Sequence, residues 1–194
     1  MGNRSYLAFG EYCFFEANSC LPITWFALFA PEDYFVDKAV NNYGEEYDEC
    51  KYQTYVTLAK KRIEKIIAVV KNKPIWVYLR PLEFFLSELK KCSIDEIVEL
   101  DGTEYSMFGQ RAKDDFANSV KEFTDFIQNI TGDEQQDIVL LNNFISNFSF
   151  VDFSAIESLD ADDKIFFLVG AYFSESELSI GDVEAYFNKD YWKA

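Results

Sequence analysis

The chain of 194 residues contains no histidine. Histidine changes its charge near neutral pH and is the commonest general base and metal ligand in proteins. Its absence excludes Ser-His-Asp and Cys-His catalysis, and it excludes every zinc site that uses imidazole. By itself this absence names no reaction.

Closely spaced cysteines and glycine-rich loops are also lacking. The four cysteines are widely scattered, whereas zinc sites show pairs of neighbouring ligands; they are Cys13, Cys20, Cys50 and Cys92. The eight glycines form neither of the phosphate-binding patterns, GxGxxG and GxxxxGK[ST], and no GxSxG turn is present. The sequence therefore predicts neither a metal nor a cofactor.

Long apolar runs are missing as well. The apolar stretch over residues 21–30 is too short to cross a bilayer. The amino terminus has no charged segment followed by an apolar run, which is the pattern of a secretory signal. We expect a cytoplasmic protein whose thiols are reduced.

Basic residues are few relative to acidic ones. The 18 Lys and Arg stand against 34 Asp and Glu, which gives a net charge of -16. Nucleic acids and anionic membranes would repel such a chain, so neither is an expected partner. A partner protein with a basic surface fits the charge, although acidic character can also serve solubility alone.

The charge is unevenly distributed. Residues 1–50 carry a net charge of -7, residues 51–91 carry +7, and residues 92–194 carry -16. The positive segment can pack against the acidic flanks and neutralise part of them, or it can leave a strongly acidic outer face.

Apolar and aromatic residues are abundant. Hydrophobic residues make up 49% of the chain and aromatic residues 18%, with 20 Phe, 12 Tyr and 3 Trp. This composition and length suit one domain over residues 1–194. The aromatic residues fill the core on the simplest interpretation, but exposed Tyr and Trp also serve as interface anchors.

The local pattern predicts an α+β fold, a mainly helical single domain with a small N-terminal antiparallel sheet or hairpin. Residues 4–10 and 12–17 form that hairpin. Residues 21–30 predict a short helix that ends at Pro31, and residues 32–50 predict an exposed acidic loop.

Helical spacing of apolar residues dominates the rest of the chain. The predicted helices begin near Asp48, at Pro81 and at Gln110, and two more are centred on residues 138–148 and 180–187. Residues 75–79 predict a strand or an extended connection. Residues 97–107 predict a hairpin through Asp101-Gly102, or a single helical turn before Asp101-Gly102.

Two acidic clusters are the candidate partner-binding sites. The first encloses an aromatic residue in a dense negative stretch, Glu45, Glu46, Tyr47, Asp48 and Glu49. The second is Glu157, Asp160, Asp162 and Asp163. The second cluster fails the calcium-loop pattern because Lys164 and Ile165 stand where an Asp or Asn and a Gly are needed. Either cluster can also be a solvated, helix-capping segment.

The amino terminus resembles a group of small bacterial immunity proteins that accompany polymorphic or contact-delivered toxins. The resemblance rests on Asn-Arg-Ser-Tyr-Leu at residues 3–7, Phe-Glu-Ala-Asn at 15–18 and Leu-Pro-Ile-Thr-Trp-Phe at 21–26. It implies a protein that binds and neutralises a cognate toxin domain, and it implies no catalytic residues. Together with the acidic charge and the absence of histidine, the resemblance leads us to expect a binding protein that is not an enzyme. The alternatives are an enzyme that uses carboxylates or Arg4, and an acidic mimic of nucleic acid.

Overall fold

The computed structural model describes residues 4–11, 13–18, 21–103, 105, 109–148 and 171–174. Within them the fold is α+β, with one antiparallel sheet of six strands. The strands are β1 (Arg4–Phe9), β2 (Cys13–Asn18), β3 (Tyr34–Val40), β4 (Glu46–Tyr55), β5 (Ile97–Asp101) and β6 (Ala171–Ser174). The helices are α1 (Val56–Val70), α2 (Trp76–Leu79), α3 (Pro81–Leu89), α4 (Gln110–Asn129) and α5 (Glu134–Phe148), with 3₁₀ helices at Ile23–Leu28 and Pro31–Asp33.

The predicted N-terminal hairpin is confirmed, but it is the middle of a larger sheet. The strand order is β3-β4-β5-β1-β2-β6, and Leu7 of β1 lies between Phe15 of β2 and Leu100 of β5. Strands that follow much later in the chain join both sides of the hairpin. The expectation of a small N-terminal sheet was therefore too narrow.

The predicted loop over residues 32–50 was wrong, because most of it forms the β3–β4 hairpin. Glu46, Asp48 and Cys50 pair with Val40, Lys38 and Val36. The predicted helix start at Asp48 was also wrong, since α1 begins at Val56. Apolar residues keep helical spacing from α1 back into the end of β4. The sequence pattern therefore did not show where the strand ends and the helix begins.

The segments around α2 and β5 also differ from the predictions. Residues 75–79 contain the one-turn helix α2, and the Trp76 N–H donates to Lys73 O at 2.9 Å. Residues 97–101 form a strand, and Thr103 and Tyr105 lie in a helical turn after Gly102. Both the predicted hairpin and the alternative of a helical turn before Asp101-Gly102 are therefore wrong. Both edges of β5 are already occupied by β1 and β4.

The helices beginning at Pro81 and Gln110 and the helix covering residues 138–148 are confirmed. The predicted helix over residues 180–187 lies outside the described residues.

The helices and the Ile23–Leu28 segment pack on one face of the sheet and enclose an aromatic core. The Phe15 and Phe85 rings lie 4.9 Å apart between β2 and α3, and Tyr52 and Phe116 lie 5.2 Å apart between β4 and α4. The Tyr52 hydroxyl donates a hydrogen bond to Phe116 O at 2.9 Å. Side chains alternate along each strand, so the residues between these core positions point to the opposite face.

Candidate protein-binding face

The side of the sheet away from the helices is called the open face below. In β4 the buried Cys50, Tyr52 and Thr54 point to the helices, so their neighbours point away from them. The strand register extends this assignment to the paired strands. The open face carries Tyr6, Ala8, Phe14, Glu16, Phe35, Asp37, Ala39, Tyr47, Glu49, Lys51, Gln53, Tyr55, Ile97, Glu99 and Asp101.

Large apolar side chains on the open face are exposed. Tyr6 is 37% exposed, Phe14 40%, Ile97 39% and Tyr55 56%. Tyr55 and Ile97 are direct cross-strand partners, so their side chains form one continuous apolar area. Contiguous exposed apolar surface on one face is typical of interaction sites.

Five carboxylates share this face with those apolar residues, namely Glu16, Asp37, Glu49, Glu99 and Asp101. Among the side chains that the structure describes, Lys51 is the single cation there. Lys51 Nζ lies 3.1 Å from Glu49 Oε2 and 3.3 Å from Glu99 Oε1. One ammonium therefore serves two carboxylates, which leaves one negative charge in surplus at this point.

The pKa of Lys51 reflects the negative charge of the carboxylates around it on the open face. Partial burial lowers the pKa of the Lys51 ammonium, but the hydrogen bonds and charges of Glu49 and Glu99 outweigh it and raise the pKa above its ordinary value. Gln53 Nε2 also donates to Glu99 at 3.2 Å. These contacts hold the carboxylates in fixed positions on the strands.

Asp37 and Glu49 lie directly opposite each other on β3 and β4. Like charges in that relation destabilise a sheet by up to about 1 kcal/mol. Glu49 is partly neutralised by Lys51 and also accepts a hydrogen bond from Thr103 Oγ1 at 3.4 Å. Asp37 accepts the N–H of Lys38 at 2.8 Å and makes no ion pair within the described part of the chain. Asp37 is exposed on the edge strand β3, where water screens this repulsion.

The structure divides the first predicted acidic cluster between the two sides of β4. Tyr47 and Glu49 belong to the open face. Asp48 points to the other side, where it forms ion pairs with Lys38 and with Lys113 of α4. Glu45 lies in the exposed β3–β4 turn and Glu46 at the exposed start of β4.

The two ion pairs of Asp48 stabilise its charged form. Hydrogen bonds from Lys113 and then from Lys38 lower the pKa of the Asp48 carboxyl to about 2. Asp48 therefore connects β3, β4 and α4, and its charge is already neutralised within the chain.

The second predicted cluster, Glu157, Asp160, Asp162 and Asp163, lies outside the described residues, as does the side chain of Arg4. The open-face carboxylates of β3 and β5 were missed by sequence reasoning. The available signal was the alternation of Tyr47, Glu49, Lys51, Gln53 and Tyr55 with buried residues in β4.

Metal ligands and reactive thiols are two further kinds of site to consider in the part of the chain that the structure describes. No group of three or more Cys, Asp or Glu side chains there is placed to hold a metal ion. Cys50 and Cys92 are buried free thiols. Burial, followed by the charge of Glu96, raises the pKa of the Cys92 thiol to about 11, which opposes thiolate reactivity.

No protein-family model, curated protein or solved structure matches this chain. None of the helices in the described ranges is both long enough and apolar enough to cross a bilayer.

Proposed function

We propose that this chain is an immunity protein, a single-domain cytoplasmic inhibitor that binds a cognate bacterial toxin through the open face. The observation that carries the proposal is the juxtaposition of exposed Tyr6, Phe14, Tyr55 and Ile97 with five carboxylates on one sheet surface. Aromatic anchors supply most of the binding energy in protein interfaces, and charged groups around them supply orientation and speed.

The dimensions of the open face suit such an interface. Six strands at a spacing of about 4.8 Å span about 24 Å, and a six-residue strand is about 20 Å long. The resulting area of roughly 500 Å² is more than half of the ~800 Å² that one partner contributes to a standard interface. The adjoining β3–β4 turn, where Tyr43 is 90% exposed, extends it beside Glu45 and Glu46.

The proposed mechanism is occlusion of the toxin active site, assisted by charge. Surplus carboxylates attract a basic toxin surface and raise the association rate to about 10⁸–10⁹ M⁻¹s⁻¹ at low salt. The aromatic side chains then exclude water at the centre of the contact. No step requires a proton transfer or a nucleophile from this chain, so we propose that it is not an enzyme. We also propose that its partners include neither a nucleic acid nor a membrane.

Protection of growing cells tests the proposal. A candidate toxin domain, taken from a gene that neighbours the gene of this chain, is expressed in a heterologous bacterium, alone and together with this chain. We expect growth arrest by the toxin alone, rescue by the wild-type chain, and loss of rescue by the double variant Asp37→Lys/Glu49→Lys. The matched control is Glu64→Lys/Asp115→Lys, which makes the same charge change on exposed helix positions of α1 and α4.

Failure of the wild-type chain to rescue growth contradicts the immunity proposal. Rescue by the open-face variant as complete as by the control contradicts the proposed binding surface. Turnover of a substrate by the purified chain favours the alternative of a carboxylate-dependent enzyme. Displacement of the chain from its partner by duplex DNA favours the alternative of a nucleic-acid mimic.

A further inference from the structure

A second feature lies on the helical side of the molecule, where a cavity of about 440 Å³ opens between α1, α4 and the segment that follows the first 3₁₀ helix. Its walls include the buried side chains of Phe26, Phe29, Phe123 and Ile127, and it reaches solvent beside Val69. Sites for small ligands have volumes of roughly 300–1,000 Å³ and are mainly apolar. The cavity therefore has the size and lining of a ligand site.

Two cations of α1 line the same cavity, Arg62 and Lys65. Arg62 Nη1 donates to Asp33 Oδ2 at 2.6 Å, to Thr54 Oγ1 at 2.9 Å and to Leu28 O at 3.1 Å. Asp33 thus offsets the charge of Arg62 and fixes its position. Lys65 is exposed and makes no hydrogen bond or ion pair within the described ranges.

No carboxylate is among the described residues that line the cavity. A cation beside apolar walls attracts an anion that carries an apolar chain, because the chain leaves water while the head group meets the ammonium. The amide of Gln128, on the α4 wall of the cavity, can donate a further hydrogen bond to an oxygen of the head group.

We propose that this cavity binds a monomeric aliphatic carboxylate, with the chain among the Phe and Ile side chains and the carboxylate at Lys65. The site is separate from the open face, because α1 and α4 belong to the covered side of the sheet. The proposal does not depend on the proposed immunity function.

Titration of the full chain with sodium decanoate tests the site. Calorimetry measures the heat of binding, and NMR measures the chemical-shift changes of the backbone amides. Decylamine and decanol serve as cationic and neutral controls of equal chain length. We expect saturable binding of decanoate, with shifts centred on α1 and α4, and weaker binding of decanol and decylamine. Each buried methylene contributes about fourfold in affinity, so octanoate binds more weakly than decanoate by about 15-fold.

Two variants locate the site. Lys65→Glu is expected to weaken decanoate binding by about tenfold, since attraction becomes repulsion. The matched control Lys61→Glu makes the same charge change on an exposed lysine of α1 that does not line the cavity. Thr124→Trp narrows the opening from an exposed position and is expected to abolish binding without a change in melting temperature.

Several results overturn the proposal. They are no saturable binding of decanoate, equal binding of decanoate and decylamine, equal effects of Lys65→Glu and Lys61→Glu, and wild-type affinity in a folded Thr124→Trp variant. Binding to anionic phospholipid vesicles without binding of monomeric decanoate also overturns it, because the ligand surface is then a membrane. None of these outcomes bears on toxin protection, so the two proposals fail separately.

Discussion

The Nζ atom of Lys51 lies 3.3 Å from Oε1 of Glu99, across the β4–β5 pair. The same ammonium lies 3.1 Å from Oε2 of Glu49 on its own strand. Both acids belong to the open face, and Lys51 separates their charges. The relationship makes the stability of this surface depend on one partly buried cation.

Replacement of Lys51 by Gln removes the ammonium that both Glu49 and Glu99 contact, and leaves their carboxylates near each other without a cation. We expect the free energy of unfolding to fall by about 0.5–1.5 kcal/mol, because the ion pairs are lost and like charges remain. Urea unfolding at low salt measures the change. The loss should shrink at 1 M salt, where the repulsion is screened. The control Lys61→Gln, at an exposed position of α1, should change stability by less than about 0.5 kcal/mol, and an equal loss in both variants refutes the assignment.

The pH dependence of stability should report Asp48. Its pKa is about 2 in the folded chain against an ordinary value of 3.8 for an aspartate side chain. A lowered pKa means that the ion pairs contribute fully above about pH 4 and are lost as the pH falls from about 4 towards 2. The stability difference between wild type and Asp48→Asn is therefore expected to be largest near pH 6 and to fall to a small fraction of that value near pH 2. A difference that stays constant between pH 6 and pH 2 is inconsistent with these ion pairs.

Gly102 lies where β5 meets α4, and a Cβ atom there would meet the ring of Phe116 and lie 2.8 Å from Cys50 O. We expect Gly102→Ala to lower stability by about 2–3 kcal/mol, because neither the buried ring nor the backbone can move freely. Gly44→Ala is the control, since nothing lies within 4 Å and only its φ of +80° opposes the change. That variant should lose about 1 kcal/mol. Thermal unfolding distinguishes the two, and similar losses would argue against close packing at Gly102.

Asp137 closes the turn between α4 and α5. Its carboxylate accepts hydrogen bonds from the N–H groups of Thr131 at 2.8 Å and Gly132 at 2.9 Å. Asp137→Ala should cost about 1–2 kcal/mol, because these donors lose a charged acceptor. Glu134→Ala, at an exposed position of the same helical turn, should cost less than about 0.5 kcal/mol. Equal denaturation midpoints for the two variants contradict the role of Asp137.

Helices were predictable from the sequence where one apolar stripe stands among polar residues. Phe116, Val120, Phe123 and Ile127 recur at helical spacing, and all are buried in α4. The β4–α1 junction was not predictable in this way. Tyr55 has extended backbone angles and the next residue, Val56, begins a helix. No glycine or proline over residues 46–70 marks this change. Tyr52, Tyr55 and Val56 have the spacing of one helix face, whereas in the structure Tyr52 is buried and Tyr55 is 56% exposed on the other side of the strand.

The open face depends on pairing between strands that are distant in sequence. Charge density in the sequence identified Glu49, but it could not place Glu99 beside it, because β4 and β5 are separated by three helices. Charge density also could not show that Asp48 is neutralised by Lys113. The acidic balance of the chain predicted a negative surface, and only the register shows which carboxylates compose it.

The most direct test of the central claim uses the toxin domain against which this chain protects cells. The rate at which the two purified proteins associate is measured at several salt concentrations. We expect Asp37→Lys/Glu49→Lys to slow association about tenfold at low salt and to flatten its salt dependence, because charge on the open face steers the encounter. The control Glu64→Lys/Asp115→Lys should slow it by less than about threefold. Equal rates and equal salt dependence for the two variants would show that the toxin binds elsewhere, and the absence of any complex would contradict the account as a whole.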